Sequence, residues 1–199
     1  KQSAKHCKLL GRVQAKRRPM KGFIFKSLLD FAEESFGLEF VDQMISEVQL
    51  ESEGIYVTFE SYPFEELVTL ASYVSEHKKI AMEDLLEAFG LFILPELIGK
   101  HDYVVHDYTH PLDLIEGIEA HIHIEVRKLY DDAELPTFNN ISRTENRLEI
   151  EYTSQRELSH FAIGLMKGTL KHFDTQGTVE MEKLTHKDKT TKFVIELIN

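Results

Sequence analysis

His123-Ile-Glu-Val-Arg-Lys-Leu-Tyr130 and, further on, Tyr152-Thr-Ser-Gln-Arg156 are the two stretches that decide the fold. The first ends a helical pattern that starts at Pro111, with Ile115, Ile118, Ile122, Val126 and Leu129 as its apolar stripe. The second follows Arg147-Leu-Glu-Ile-Glu-Tyr152, which alternates apolar and polar residues as a half-buried strand does. If the extension continues to Arg156, Tyr152, Ser154 and Arg156 point the same way and form a row of donors on one face. Such a row suits an anion with two carboxylates, because Arg binds carboxylates bidentately and hydroxyls take the remaining lone pairs.

Working outward, the period is helical before these segments and mostly of two residues after them. Gly22 to Phe36 places Phe25, Leu28, Leu29, Ala32 and Phe36 at helical spacing and stops at Gly37. Glu39 to Leu50 repeats the pattern. Gly54-Ile-Tyr-Val-Thr-Phe is short and reads as an extended connector. A helix from Ser61 to about His77 has Pro63 near its start and acids in its first turn, where the helix dipole favours them. Met82 to Leu97 is greasy on most faces, so it packs against several neighbours or lines an apolar ligand. Thr109 is the expected cap of the Pro111–Tyr130 helix. Beyond Pro136 come strands at Arg147, Thr178 and Lys192, the last two joined by a turn at His186-Lys-Asp-Lys, with one helix from Glu157 to Phe173. The expected class is α+β: a helical N-terminal half, and an antiparallel sheet carrying a helix in the C-terminal half.

Of the 23 Lys and Arg, seven lie in residues 1–19, which hold no acid, so the rest of the chain has 16 bases against 34 acids. A body that acidic repels nucleic acid and anionic membranes. Residues 1–19 are expected to be a basic arm outside the fold, disordered or a non-native leader, because Met20-Lys21-Gly22 reads as a natural beginning; residues 20–199 are expected to be one domain. The single cysteine, Cys7, excludes an internal disulfide and fits a reducing cytoplasm. The most apolar run, Ala88 to Ile98, is broken by Pro95 and Glu96 and falls short of a membrane span.

Ten histidines require a choice. At 100° per residue, His121 and His123 fall on opposite shoulders of the stripe, so periodicity does not separate them. Their neighbours lean toward His123 as the buried one. On a helix the two rings diverge and do not share a metal. A second cluster, His101-Asp102…His106-Asp107…His110, contains the i, i+4 spacing of a zinc pair at His106 and His110, but the flanks read as a loop and no third ligand is evident. Polar residues at alternate positions, as in Tyr152-x-Ser154-x-Arg156, are also what a strand end facing water looks like. No phosphate-cradling loop, serine elbow or HExxH occurs, and no enzymatic activity is expected. One imidazole on a helix together with a carboxylate clamp matches what haem requires: an axial base for the iron and donors for the propionates.

From Met20 onward, about nine-tenths of the chain resembles the haem–nitric oxide/oxygen-binding (H-NOX) family. The resemblance rests on Met20-Lys-Gly-Phe-Ile-Phe, Glu60-Ser-Tyr-Pro, Asp84-Leu-Leu-Glu-Ala-Phe-Gly, His123-Ile-Glu-Val-Arg-Lys-Leu-Tyr and Tyr152-x-Ser-x-Arg, in family order and spacing. It implies haem b between the two halves, with His123 as the proximal iron ligand, Tyr152, Ser154 and Arg156 on the propionates, and Pro136 against the porphyrin. It places Ile24, Leu28, Ile93, Leu97, Phe161 and Leu165 around the gas-binding face. Members that hold oxygen have a tyrosine where this chain has Phe161. The resemblance therefore implies a sensor of NO, with weak CO binding, that signals in trans to a histidine kinase or a cyclic-di-GMP enzyme. An oxygen sensor, a haem-free interaction module and a metal-dependent enzyme using the His101–His110 cluster are the alternatives.

Overall fold

A computed structural model describes residues 19–184 and 187–198. The basic arm up to Arg18 and His186 of the expected turn lie outside the described residues. Short strand β1 (Pro19–Lys21) leads into helices α1 (Gly22–Phe36) and α2 (Leu38–Glu47). Strand β2 (Ser61–Pro63) pairs antiparallel with β1 and opens α3 (Phe64–Lys78). Helix α4 (Met82–Lys100) contains Pro95, and a short α5 (Asp102–Val105) follows. The connector at Gly54–Phe59 forms turns and irregular chain, with no strand.

The segment expected to be one helix is three pieces. Helix α6 (Pro111–Glu116) passes through a π-helical turn (Ile118–Ile122) into α7 (His123–Leu129). His110 occupies the cap position, not Thr109, and no side chain caps it. The His123 N–H bonds back to the Ile118 carbonyl, five residues earlier. A π turn accommodates one more residue than an α turn, so every later residue is rotated relative to a straight helix. Hence Leu129, expected in the stripe, is 58% exposed.

The C-terminal half is a four-stranded antiparallel sheet in the order β3 (Thr137–Arg143), β4 (Arg147–Thr153), β6 (Thr190–Leu197), β5 (Gly177–Lys183), with α8 (Ser159–His172) between β4 and β5 in sequence. Leu148, Ile150 and Tyr152 of β4 and Phe193 and Ile195 of β6 are buried, as their alternation requires. Strand β3 escaped the sequence reading because Thr-Phe-Asn-Asn-Ile-Ser-Arg is an edge strand with mostly exposed residues and a bulge between Asn140 and Ser142.

Two apolar clusters result. One is helical, centred on Phe25, Leu28, Leu70, Phe89 and Ile93; the other joins the sheet to α8 and to Leu112 and Ile115. Buried Ser27 of α1 donates to Glu96 of α4 at 3.0 Å and ties two helices of the first cluster together. Helices α4 and α8 link the clusters, meeting almost backbone to backbone at Gly90 and Gly164. A Cβ on Gly90 would collide with the Phe161 carbonyl oxygen, and one on Gly164 with the Glu87 carbonyl oxygen. Gly164→Ala is expected to destabilise the fold by about 1–3 kcal/mol, the range for overpacking, despite alanine's better helix propensity. The urea unfolding midpoint measures it; an unchanged or raised midpoint would contradict this packing.

Candidate functional site

Between the two clusters lies a cavity of about 320 Å³, within the range of small-molecule sites, with predominantly apolar walls. Its lining includes Ile24 of α1, Leu97 of α4, His123 of α7, Pro136, Tyr152 of β4, Ser154, Arg156, and Phe161 and Leu165 of α8. Side chains far apart in sequence thus share one space. Leu28 and Ile93 do not line it. Both are fully buried in the helical cluster, where the inner faces of α1 and α4 pack together.

His123 is 8% exposed, whereas His121 is exposed on the other side of the helix. The His123 Nδ1 lies 3.0 Å from Glu119 Oε2. Glu119 also accepts from the Phe138 backbone N–H at 3.3 Å and, through its other oxygen, from Arg127 at 2.9 Å. Burial pushes the His123 imidazole below its ordinary pKa, with Glu119 opposing. Burial acts to raise the Glu119 carboxyl, yet hydrogen bonds from Arg127 and His123 hold it below the usual range. Donation from Nδ1 to a carboxylate leaves Nε2 with its lone pair, the tautomer that a metal takes. The ring also packs against Phe138, centroids 5.6 Å apart, and Phe138 meets Tyr152 edge-on at 5.2 Å.

Tyr152, Ser154 and Arg156 share the cavity, but not as a strand row. Strand β4 ends at Thr153 and the chain turns: the Arg156 N–H bonds the Ser154 hydroxyl at 3.3 Å, and the Glu157 N–H bonds the Ser154 carbonyl at 3.2 Å. A turn, not alternation, brings the three together. The Arg156 guanidinium donates to the Glu134 carbonyl at 2.6 Å, bonds the Pro19 carbonyl and lies over the Phe64 ring. It therefore clasps the loop before Pro136 to β1 at the cavity edge. Burial raises the Tyr152 phenol above its ordinary pKa, with Ser154 and Arg156 opposing, so it stays a donor.

Sequence reasoning missed Glu119, although its place four residues before His123 on a helix was a usable signal. His101, grouped by sequence with His106 and His110 as a possible metal cluster, instead lines the cavity one helical turn beyond Leu97, and its buried Nδ1 has no hydrogen-bond partner. His106 bonds the Asp102 carbonyl and pairs with Asp107, while His110 faces Asp113 and Arg143. Among the described residues no three or more His, Cys, Asp or Glu converge as a metal site, and no helix is long and apolar enough to cross a membrane.

A buried imidazole with its outer nitrogen on a carboxylate, apolar walls, and a phenol, hydroxyl and guanidinium at one edge form a donor set that fits haem. The fold and cavity together define an α+β domain with an apolar cavity between its two cores, edged by polar donors. A family model for haem-NO-binding domains matches residues 21–181, and the chain belongs to that family, the H-NOX proteins. It is similar to the Fe(II) unliganded H-NOX protein from K. algicida, with 37% identity over 90% of this chain and 97% of that one and a TM-score of 0.85. Similar also are the Fe(II)NO H-NOX protein from S. oneidensis (29% identity, 90% and 100% covered, TM-score 0.83) and the IWP-051-bound Fe(II)CO H-NOX from Shewanella woodyi (32%, 89% and 94%, 0.76). A comparison with curated protein sequences gave no significant match.

Glu119→Ala removes the acceptor of His123, Phe138 and Arg127 at once. It is expected to lower the stability of the haem-free protein by about 1–2 kcal/mol, the usual cost of leaving a buried donor unsatisfied. Urea unfolding measures it, and a loss below about 0.5 kcal/mol, the ordinary range for surface substitutions, would show that water replaces the carboxylate without penalty.

Proposed function

We propose that this chain is a nitric oxide sensor that holds haem b in the cavity, with His123 as its one protein ligand. When bound, haem would supply a ferrous iron that takes diatomic gases, with His123 holding it. In this reading Tyr152, Ser154 and Arg156 would hold the propionates, and Pro136, also in the cavity lining, would contact the porphyrin. The neutral imidazole of His123 is aimed by Glu119, whose carboxylate accepts from Nδ1 and leaves Nε2 for the iron.

The observation that carries the choice of gas is the apolar wall around Phe161. Ile24, Leu97, Phe161 and Leu165 offer no donor, whereas oxygen, which becomes partly negative on binding, needs one to be held. An unsatisfied buried acceptor costs ~1–3 kcal/mol, roughly 10- to 100-fold in affinity. NO binds strongly without that help, and CO weakly. Movement of α7 relative to the sheet would be read by a partner in trans, a histidine kinase or a cyclic-di-GMP enzyme, through contacts that differ between two states. The single cysteine supports a reducing compartment, the cytoplasm, as its location.

The test is the visible spectrum of the anaerobically reduced, haem-loaded protein. A blue shift of the Soret band on adding NO, with no stable adduct in air, is expected; a stable oxygen adduct would favour an oxygen sensor, and no Soret band after haem loading a haem-free module. His123→Ala should give haem-poor protein whose Soret absorbance returns with added imidazole; a normal spectrum would move the ligand role to another residue of the lining, such as His101. Phe161→Tyr supplies a donor and is expected to raise oxygen affinity by about 10-fold or more. No change in oxygen binding would remove Phe161 from the gas-binding face.

A further inference from the structure

We infer that Tyr108 is a positioning residue for His123: its hydrogen bond to His121 pins the outer side of the ligand-bearing helix and opposes the helix movement that releases His123. The inference rests on the reading of His123 as the iron ligand and adds a second, outer restraint to it.

The π turn and α7 are held at two places on opposite sides. On the inner side, Glu119 joins the His123 ring to the Phe138 backbone and so to edge strand β3. On the outer side, the Tyr108 hydroxyl and His121 Nδ1 share a hydrogen bond. Tyr108 reaches from the loop between α5 and α6, where its own N–H bonds the Val105 carbonyl. Its hydroxyl sits so close to Gly117 that a Cβ there would collide with it. Gly117 stands immediately before the π turn and its carbonyl accepts the His121 N–H at 2.9 Å. Tyr108 therefore meets the residue that enters the turn, Gly117, by close approach and His121 within the turn by a hydrogen bond.

A π turn is a local irregularity that an α-helix takes up or loses by a one-residue shift, and such turns concentrate at functional sites. Here it lies between the fixed helix α6, buried through Leu112 and Ile115, and the less buried α7. Any pivot of α7 that carries His123 away from the cavity must reorient this turn, and the Tyr108–His121 bond resists that. Burial, with Asp113 adding to it, holds the Tyr108 phenol above its ordinary pKa, so the hydroxyl keeps its proton.

The experiment uses haem-loaded, reduced wild-type protein, Tyr108→Phe, His121→Leu, the double variant and His121→Asn. Stopped-flow absorbance follows release of His123 after mixing with NO, and resonance Raman measures the iron–histidine stretch before mixing. Tyr108→Phe keeps the ring and removes only the oxygen. Release is expected to become about fivefold faster, the factor that one net hydrogen bond represents. His121→Leu should act equally, the double variant no further than either, because both delete one bond. His121→Asn, which keeps a polar atom near the Nδ1 position, should return most of the wild-type rate. A shifted iron–histidine frequency in Tyr108→Phe with an unchanged urea midpoint is the signature of positioning. Unchanged or slower release in Tyr108→Phe, or additive effects in the double variant, would overturn the inference while leaving His123 as ligand intact. A wild-type spectrum without an iron–histidine stretch would overturn both.

Discussion

Helices α4 and α8 approach so closely at Gly90 and Gly164 that no side chain fits between them, and the architecture depends on this contact. Helix α4 belongs to the N-terminal helical cluster and α8 packs on the sheet, so their junction joins two cores that would otherwise be separate. Away from the junction the halves diverge, and the gap between them is the cavity. Close-packed interiors respond to strain as rigid bodies and not by local yielding. A displacement at one wall is therefore transmitted as movement of a whole half.

The cavity separates its chemistry by location. Ile24 of α1, Leu94 and Leu97 of α4, and Phe161 and Leu165 of α8 make an apolar stretch of wall that gives a small neutral ligand nothing but space. The edge where β4 ends carries a phenol, a hydroxyl and a guanidinium, which suit carboxylates. The side of α7 presents the His123 imidazole, kept neutral by burial and aimed by Glu119. Each of these environments would be unremarkable alone. Together they fit a flat cofactor with an apolar ring, a metal and two acid groups.

The His123 segment is also the least regular helix of the fold. A continuous α-helix would be stiffer, but the π turn leaves backbone that can be rearranged without losing its hydrogen bonds altogether. Restraints from Glu119 inside and Tyr108 outside act on that turn. A two-state element needs this combination of a defined position and a modest barrier to leaving it.

Much of this was legible from residue order. The helical period before His123, the alternation of Arg147–Tyr152 and the apolar character of Met82–Leu97 determined the α+β class, because burial enforces those periods on any chain that makes such elements. The motif at His123 and Tyr152-x-Ser-x-Arg156 pointed to the family. The choice between His121 and His123 could not be made from a helical wheel, since the wheel assumes a straight α-helix and the π turn breaks its register. Tyr152, Ser154 and Arg156 share the cavity because a turn, and not a strand, gathers them. Strand β3 carries too little apolar alternation to be seen, and Leu28 and Ile93 belong to a core whose boundary with the cavity depends on how helices from two halves meet. Periodicity records which faces are buried; only tertiary packing decides whether a buried face meets another side chain or an open space.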